Sequence, residues 1–190
     1  MFKYPLNIIY ALPEQIGNYD LFVGRKKEFD YYLGAWYDDL VRDYALSQAI
    51  IARRKKGKTA FMQRFFNILW SDFKTDGDIN VIPFYYSIQE KKITLADFSK
   101  LFFATFVSHY LSFTERKREF LEKSINFEKL TNYIKDKDFI ESYESIEGFE
   151  KKGSWDLMWE TASKAPSEIA SRKKVKIVQI IDEFQNIDRY

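Results

Sequence analysis

Apolar positions recur at helical spacing in several stretches of the chain and crowd into short runs in three others. Phe29, Leu33, Trp36 and Leu40 follow one another at steps of four, three and four, which predicts a helix running to about Tyr44, slightly weakened by Gly34. Phe61, Phe65 and Leu69 mark a second helix that opens at Lys58 or Thr59. Thr94 is placed to cap a third, with the acid Asp97 three positions on, where it suits a helix N-terminus. Residues 101–113 have the spacing of a buried helix and are too short a run to cross a bilayer. Residues 114–150 are charged and aromatic, and read as helical and partly exposed. Gly153 and Ser154 open a further helix containing Trp155, Met158, Trp159 and Ala162, and Pro166 is expected to break or restart it.

The three short runs read as strands. Residues 45–51 form the first and 81–87 the second, where Pro83 favours an edge or a bulge because it lacks a ladder donor. Residues 175–181 carry apolar side chains on both parities, the pattern of a central parallel strand covered on both faces. Residues 1–20, punctuated by Pro5, Pro13 and Gly17, read as an irregular lead-in, and 74–80 as a polar turn around Asp76, Gly77 and Asp78. Helices alternate with strands, so the fold class expected is α/β with a mostly parallel sheet.

Composition narrows the chemistry. The 190 residues are 46% hydrophobic and 18% aromatic, enough to build a packed core, so disorder of the whole chain is excluded. Thirty basic residues against 28 acidic leave a net charge of +2, too little for a large phosphate footprint on nucleic acid. With no cysteine, disulfides, thiolate metal sites and cysteine nucleophiles are excluded. The single histidine, His109, excludes multi-histidine zinc sites, and its aromatic helical surroundings mark it as structural. Pro5 and Pro13 interrupt the N-terminal apolar stretch and no small-residue cleavage site follows, so no signal peptide is read and a cytoplasmic protein without membrane contact is expected.

One segment carries a specific motif. Residues 52–59 read A-R-R-K-K-G-K-T against the phosphate-loop pattern G-x-x-x-x-G-K-[ST], with Ala52 in place of the first glycine. Gly57 allows a backbone conformation that lets successive amides curl around a phosphate, and the following helix N-terminus adds unpaired donors. In this pattern Lys58 meets the β- and γ-phosphates and the Thr59 hydroxyl meets Mg²⁺. The nucleotide-binding set is then Ala52, Arg53, Arg54, Lys55, Lys56, Gly57, Lys58, Thr59 and Ala60. The competing reading is a solvated basic turn, and the side chains of Arg53, Arg54, Lys55 and Lys56 are expected to face water. Downstream, the apolar run 175–181 ends in Asp182 and Glu183. An acid at the carboxyl end of a parallel strand is placed to organise Mg²⁺, and a neighbouring glutamate to polarise water. Gln185 could orient a water or be a plain turn residue.

Three segments together resemble the archaeal-type ATPases within the AAA-like and signal-transduction (STAND-type) P-loop NTPases. LFVGRKKEF at 21–29 is similar to their F-x-G-R-x-x-E motif, IIARRKKGKTAFM at 50–62 to their Walker A loop, and IVQIIDEFQNI at 177–187 to their Walker B segment. The resemblance implies a three-layer ATP-binding sandwich of strand order 5-1-4-3-2 within residues 21–190, with 88–174 a largely helical insertion. It implies that Val23, Gly24 and Arg25 line the base or ribose side, that Thr59 and Asp182 serve Mg²⁺, and that Glu183 is catalytic. It also implies a fourth strand between the Walker strands, a fifth strand, an arginine finger and a helical lid after Walker B, so the sandwich is expected to be incomplete at the C-terminus. The activity implied is ATP binding or hydrolysis coupled to conformational change, in a homo-oligomer or with a protein partner. The alternatives are a nucleotide-dependent switch without turnover that binds a protein partner, and a DNA-associated ATPase fragment.

Overall fold

The computed structural model describes residues 8–15, 24–53, 55–71, 80–90 and 92–189. They are mixed helix and strand, with seven α-helices and one two-stranded parallel sheet among the described residues. The chain divides into two compact units, Met1–Val81 and Ile82–Tyr190.

In the first unit, α1 (Lys26–Tyr32) and α2 (Ala35–Val41) replace the single helix expected from the apolar spacing. The break lies at Leu33 and Gly34. A Cβ on Gly34 would stand 2.6 Å from the Asp30 carbonyl oxygen, so the close backbone approach at this joint requires glycine. The buried face accordingly runs Phe29, Leu33, Tyr37, and Trp36 lies half-buried with Phe65 at 6.1 Å between ring centroids. The helix α3 (Lys58–Trp70) forms as its spacing predicts, with Phe61, Phe65 and Leu69 buried.

Of the lead-in, residues 8–15 are described, and they form no helix or strand, as their composition suggests. Residues 8–15 run along α3 and are held by side chains spaced four apart on it. Gln63 Oε1 accepts from the Gln15 amide at 2.8 Å, Asn67 Oδ1 from the Leu12 amide at 2.7 Å, and Ser71 Oγ from the Ile9 amide at 2.8 Å. Asn67 Nδ2 returns a bond to the Leu12 carbonyl at 2.9 Å. Beside these bonds, Arg64 Nε donates to Glu14 Oε1 at 2.7 Å, and the Glu14 side chain is fully buried.

No strand forms at 45–51. These residues are irregular, with Leu46 76% and Ile51 92% exposed. An apolar run becomes a strand only when a neighbour supplies ladder hydrogen bonds. Here the Leu46 carbonyl accepts instead from Trp36 Nε1 at 3.1 Å. The polar turn expected at 74–80 lies, apart from Asn80, outside the described residues.

The second unit is built on β1 (Val81–Ser87) and β2 (Lys176–Asp182), which pair directly. Four α-helices lie between them in the chain, α4 (Leu95–Glu115), α5 (Glu119–Glu122), α6 (Lys137–Lys151) and α7 (Trp155–Lys173), with a 3-10 helix at Phe127–Asn132. Thr94 caps α4 as its sequence predicts. Its Oγ1 accepts from the Asp97 amide at 3.1 Å, and its hydroxyl donates to Asp97 Oδ2 at 2.7 Å. The expectation that β2 is a central strand is corrected: β1 is its one neighbour among the described residues, and Gln179 is exposed.

Phe84 and Tyr86 of β1 meet Phe102 of α4 edge-on, both at 5.1 Å between ring centroids. Trp159 of α7 packs on Phe98 and Phe102, whereas Trp155 at the start of the same helix is 46% exposed. Pro166 does not end α7, which runs on to Lys173. An interior proline costs about 3 kcal/mol, whereas burying a side chain such as Met158 or Ile169 returns about 1.5–3 kcal/mol. Both are buried on α7, on either side of the proline, so packing outweighs the lost bond.

Two stability predictions follow from these contacts. Glu14→Ala removes the buried carboxylate that accepts from both Arg64 and Asn67 and should cost about 3–5 kcal/mol in denaturant unfolding. His109 is buried, and desolvation pushes its pKa down from 6.5 to about 3. Between those values the unfolded chain binds the proton and the folded chain does not. Stability from this group is therefore complete above pH 6.5 and is lost on acidification at up to about 1.4 kcal/mol per pH unit. His109→Gln should remove that component of the slope, read as unfolding free energy against pH.

Candidate functional site

The first unit holds the basic loop and the residues before α1. Gly57 stands at the N-cap of α3 with φ 70°, in the left-handed region, and a Cβ there would meet nothing within 4 Å. The glycine is required by backbone conformation and not by space. Lys55 shares that region at φ 62°. Two left-handed residues separated by one position bend the chain into α3, whose first three residues are Lys58, Thr59 and Ala60, all half-exposed. No side chain caps this helix start, so none of its first-turn amides is taken by a cap. Ala52 is half-exposed, while Arg53, Lys55 and Lys56 are exposed, as expected of the loop's solvated side chains. Arg54 and Val23 lie outside the described residues.

Gly24 (φ 89°) and Arg25 (φ 55°) form a second left-handed pair just ahead of α1. The Arg25 guanidinium turns to the loop. Its Nη2 donates to the Lys56 carbonyl, its Nη1 to Glu28 Oε1 at 3.1 Å, and its Cζ lies 5.8 Å from the centre of the Phe61 ring. One side chain thus ties the 21–29 motif to the carbonyl just before Gly57. Glu28, whose role the sequence leaves open, is the carboxylate partner of that arginine.

In the second unit, Asp182 ends β2 and is 3% exposed, and Glu183 follows it at φ 55° with its side chain in solvent. A non-glycine residue in that region costs about 1 kcal/mol or more and persists where its surroundings hold it. Here the holding groups are visible. The Glu183 amide donates to Asp182 Oδ1 at 2.9 Å, and the Tyr85 hydroxyl donates to Asp182 Oδ2 at 3.0 Å. The Gln185 side-chain amide donates to Glu183 Oε2. The chain then turns into the 3-10 helix Phe184–Arg189.

Sequence reasoning missed two residues that build this turn. Asn186 is 4% exposed, and its Nδ2 donates to the Ile88 carbonyl at 2.9 Å. Its amide donates to the Glu183 carbonyl at 2.9 Å, and the Ile88 amide to the Asp182 carbonyl at 3.0 Å. Tyr85 is the other. A tyrosine in an apolar strand reads as core, and only the position of its hydroxyl reveals the partner. Asp182 and Glu183 are thus fixed at the ends of both strands by Tyr85, Ile88 and Asn186.

No group of three or more histidine, cysteine, aspartate or glutamate side chains suited to a metal occurs among the described residues. No helix among them is long and apolar enough to cross a membrane. Comparison with models of protein families, with curated proteins and with solved structures found no match.

Asn186→Ala should leave the Ile88 carbonyl short of its donor and cost about 1–3 kcal/mol in thermal or denaturant unfolding.

Proposed function

We propose that the chain is an ATP- and Mg²⁺-binding module of an AAA-like P-loop ATPase, in which nucleotide binding or hydrolysis drives a conformational change. The observation that carries this reading is the left-handed Gly57 at the uncapped start of α3, followed at once by Lys58 and Thr59. Uncapped first-turn amides, a helix dipole and a lysine together suit an anion such as a phosphate. The three-layer sandwich belongs to the same proposal. The parallel β1–β2 pair with helices between its strands is compatible with it.

The donor chemistry fits Mg²⁺. That ion prefers oxygen, keeps several waters, and takes one or two protein ligands beside phosphate oxygens. A site of this kind needs no cluster of acids. The resemblance assigns the Thr59 hydroxyl and the Asp182 carboxylate to the ion, and Lys58 and the loop amides to the phosphates. When bound, the ion supplies charge neutralisation at the phosphate oxygens. Glu183 is the general base, exposed to solvent and held by Gln185 so that its carboxylate can take a proton from water. Arg25 keeps the loop in register through the Lys56 carbonyl.

Two substitutions test the reading in the full chain. Lys58→Ala should weaken ATP binding by about 100-fold or more in calorimetry, since it removes the charge that meets the phosphates. Glu183→Gln should retain ATP binding and lower turnover by about 10²–10⁴-fold. Tight ATP binding with no turnover in the native chain would make it a switch without hydrolysis. DNA binding that falls with salt and survives saturating ATP would make it a DNA-associated protein.

A further inference from the structure

β1 sends the Tyr85 hydroxyl across to β2, where it meets Asp182 Oδ2 at 3.0 Å, and both residues are buried. The other oxygen, Oδ1, accepts from the Glu183 amide at 2.9 Å. Donors on different oxygens fix the plane of the carboxylate, and each oxygen keeps acceptor capacity for a further partner. Tyr85 is itself anchored from α4. Its backbone N–H donates to His109 Nδ1 at 3.1 Å, and the His109 ring stands edge-on to Phe84 at 5.7 Å. Burial keeps that imidazole neutral, so Nδ1 stays an acceptor throughout the physiological range. A continuous set of hydrogen-bonded groups therefore runs from the middle of α4, through β1, to the acid at the end of β2.

We infer that Tyr85 is a positioning residue for the Asp182 carboxylate, setting the orientation in which it meets a hydrated divalent cation, and that His109 of α4 holds Tyr85 in place for this. The inference rests on the ATPase reading and deepens it. Groups that orient a metal-binding carboxylate commonly change metal affinity by about 10–100-fold when removed. Tyr85 is not assigned to the nucleotide, so its loss should fall on the metal and spare metal-free binding.

The test titrates Mg²⁺ into the full chain holding a fluorescent ATP analogue, with Mn²⁺ binding read in parallel by electron spin resonance. Four proteins are compared: native, Tyr85→Phe, Asp182→Asn and the double variant. Tyr85→Phe should raise the Mg²⁺ midpoint about 10-fold and leave the affinity for metal-free nucleotide unchanged. In the Asp182→Asn background the same change should shift the midpoint by less than about 2-fold, because the hydroxyl acts through that carboxylate. An unchanged midpoint in Tyr85→Phe, or an equal shift in both backgrounds, overturns the positioning role while the ATPase reading stands. A native chain that binds no nucleotide, or binds it without any metal dependence, removes the ATPase reading and the positioning role together. If Tyr85→Phe fails to fold, His109→Gln carries the same test. It should raise the midpoint in the same direction by about 3-fold, and no shift overturns the inference.

Discussion

Two parallel strands alone are marginal in water, so β1 and β2 hold together only because helices cover them and because their carboxyl ends are stitched to each other. The stitching is specific. The Ile88 amide donates to the Asp182 carbonyl, Asn186 reaches back to Ile88, and Tyr85 reaches across to Asp182. The two strands are separated by four α-helices in the chain, so this contact closes a long loop. The helices answer by packing α4 on α7 and α7 on α6. Aromatic side chains from β1, α4 and α7 interlock where they meet. The acidic turn after β2 is therefore tied by hydrogen bonds to the end of β1.

The first unit solves a different problem. A bend rich in positive charge must hold its shape although like charges repel. The side chains of Arg53, Lys55 and Lys56 are exposed to water, where screening is strongest, and the backbone is held by Arg25 through the Lys56 carbonyl. The left-handed residues at Lys55 and Gly57 then set the direction in which α3 departs. The shape is thus carried by main-chain conformation and one guanidinium, and Lys58 and Thr59 stand half-exposed at the helix start.

Much of this was legible in the residues because burial has a period. The α3 face at Phe61, Phe65 and Leu69, the Thr94 cap, the start of α7 and the run ending in Asp182 all follow from spacing and capping chemistry. What escaped is what period does not encode. The polar positions Gln63, Asn67 and Ser71 look like a solvent face, yet they bind the backbone of 8–15. The apolar run 45–51 has the composition of a strand, but composition does not supply a neighbour. The break at Gly34 depends on a backbone approach that leaves no room for a Cβ, and the persistence of α7 through Pro166 on tertiary packing that outweighs a local penalty. The roles of Tyr85 and Asn186 come from contacts across more than ninety residues, beyond the reach of any local pattern.

The pair formed by Glu14 and Arg64 differs in kind from the surface ion pairs such as Lys164 with Glu160. Dissolved ions weaken the latter within a Debye length, but they have no access to a carboxylate enclosed by protein. The tether between the segment near the amino terminus and α3 therefore keeps its grip in concentrated brine, where the outer charges of this chain no longer sense one another.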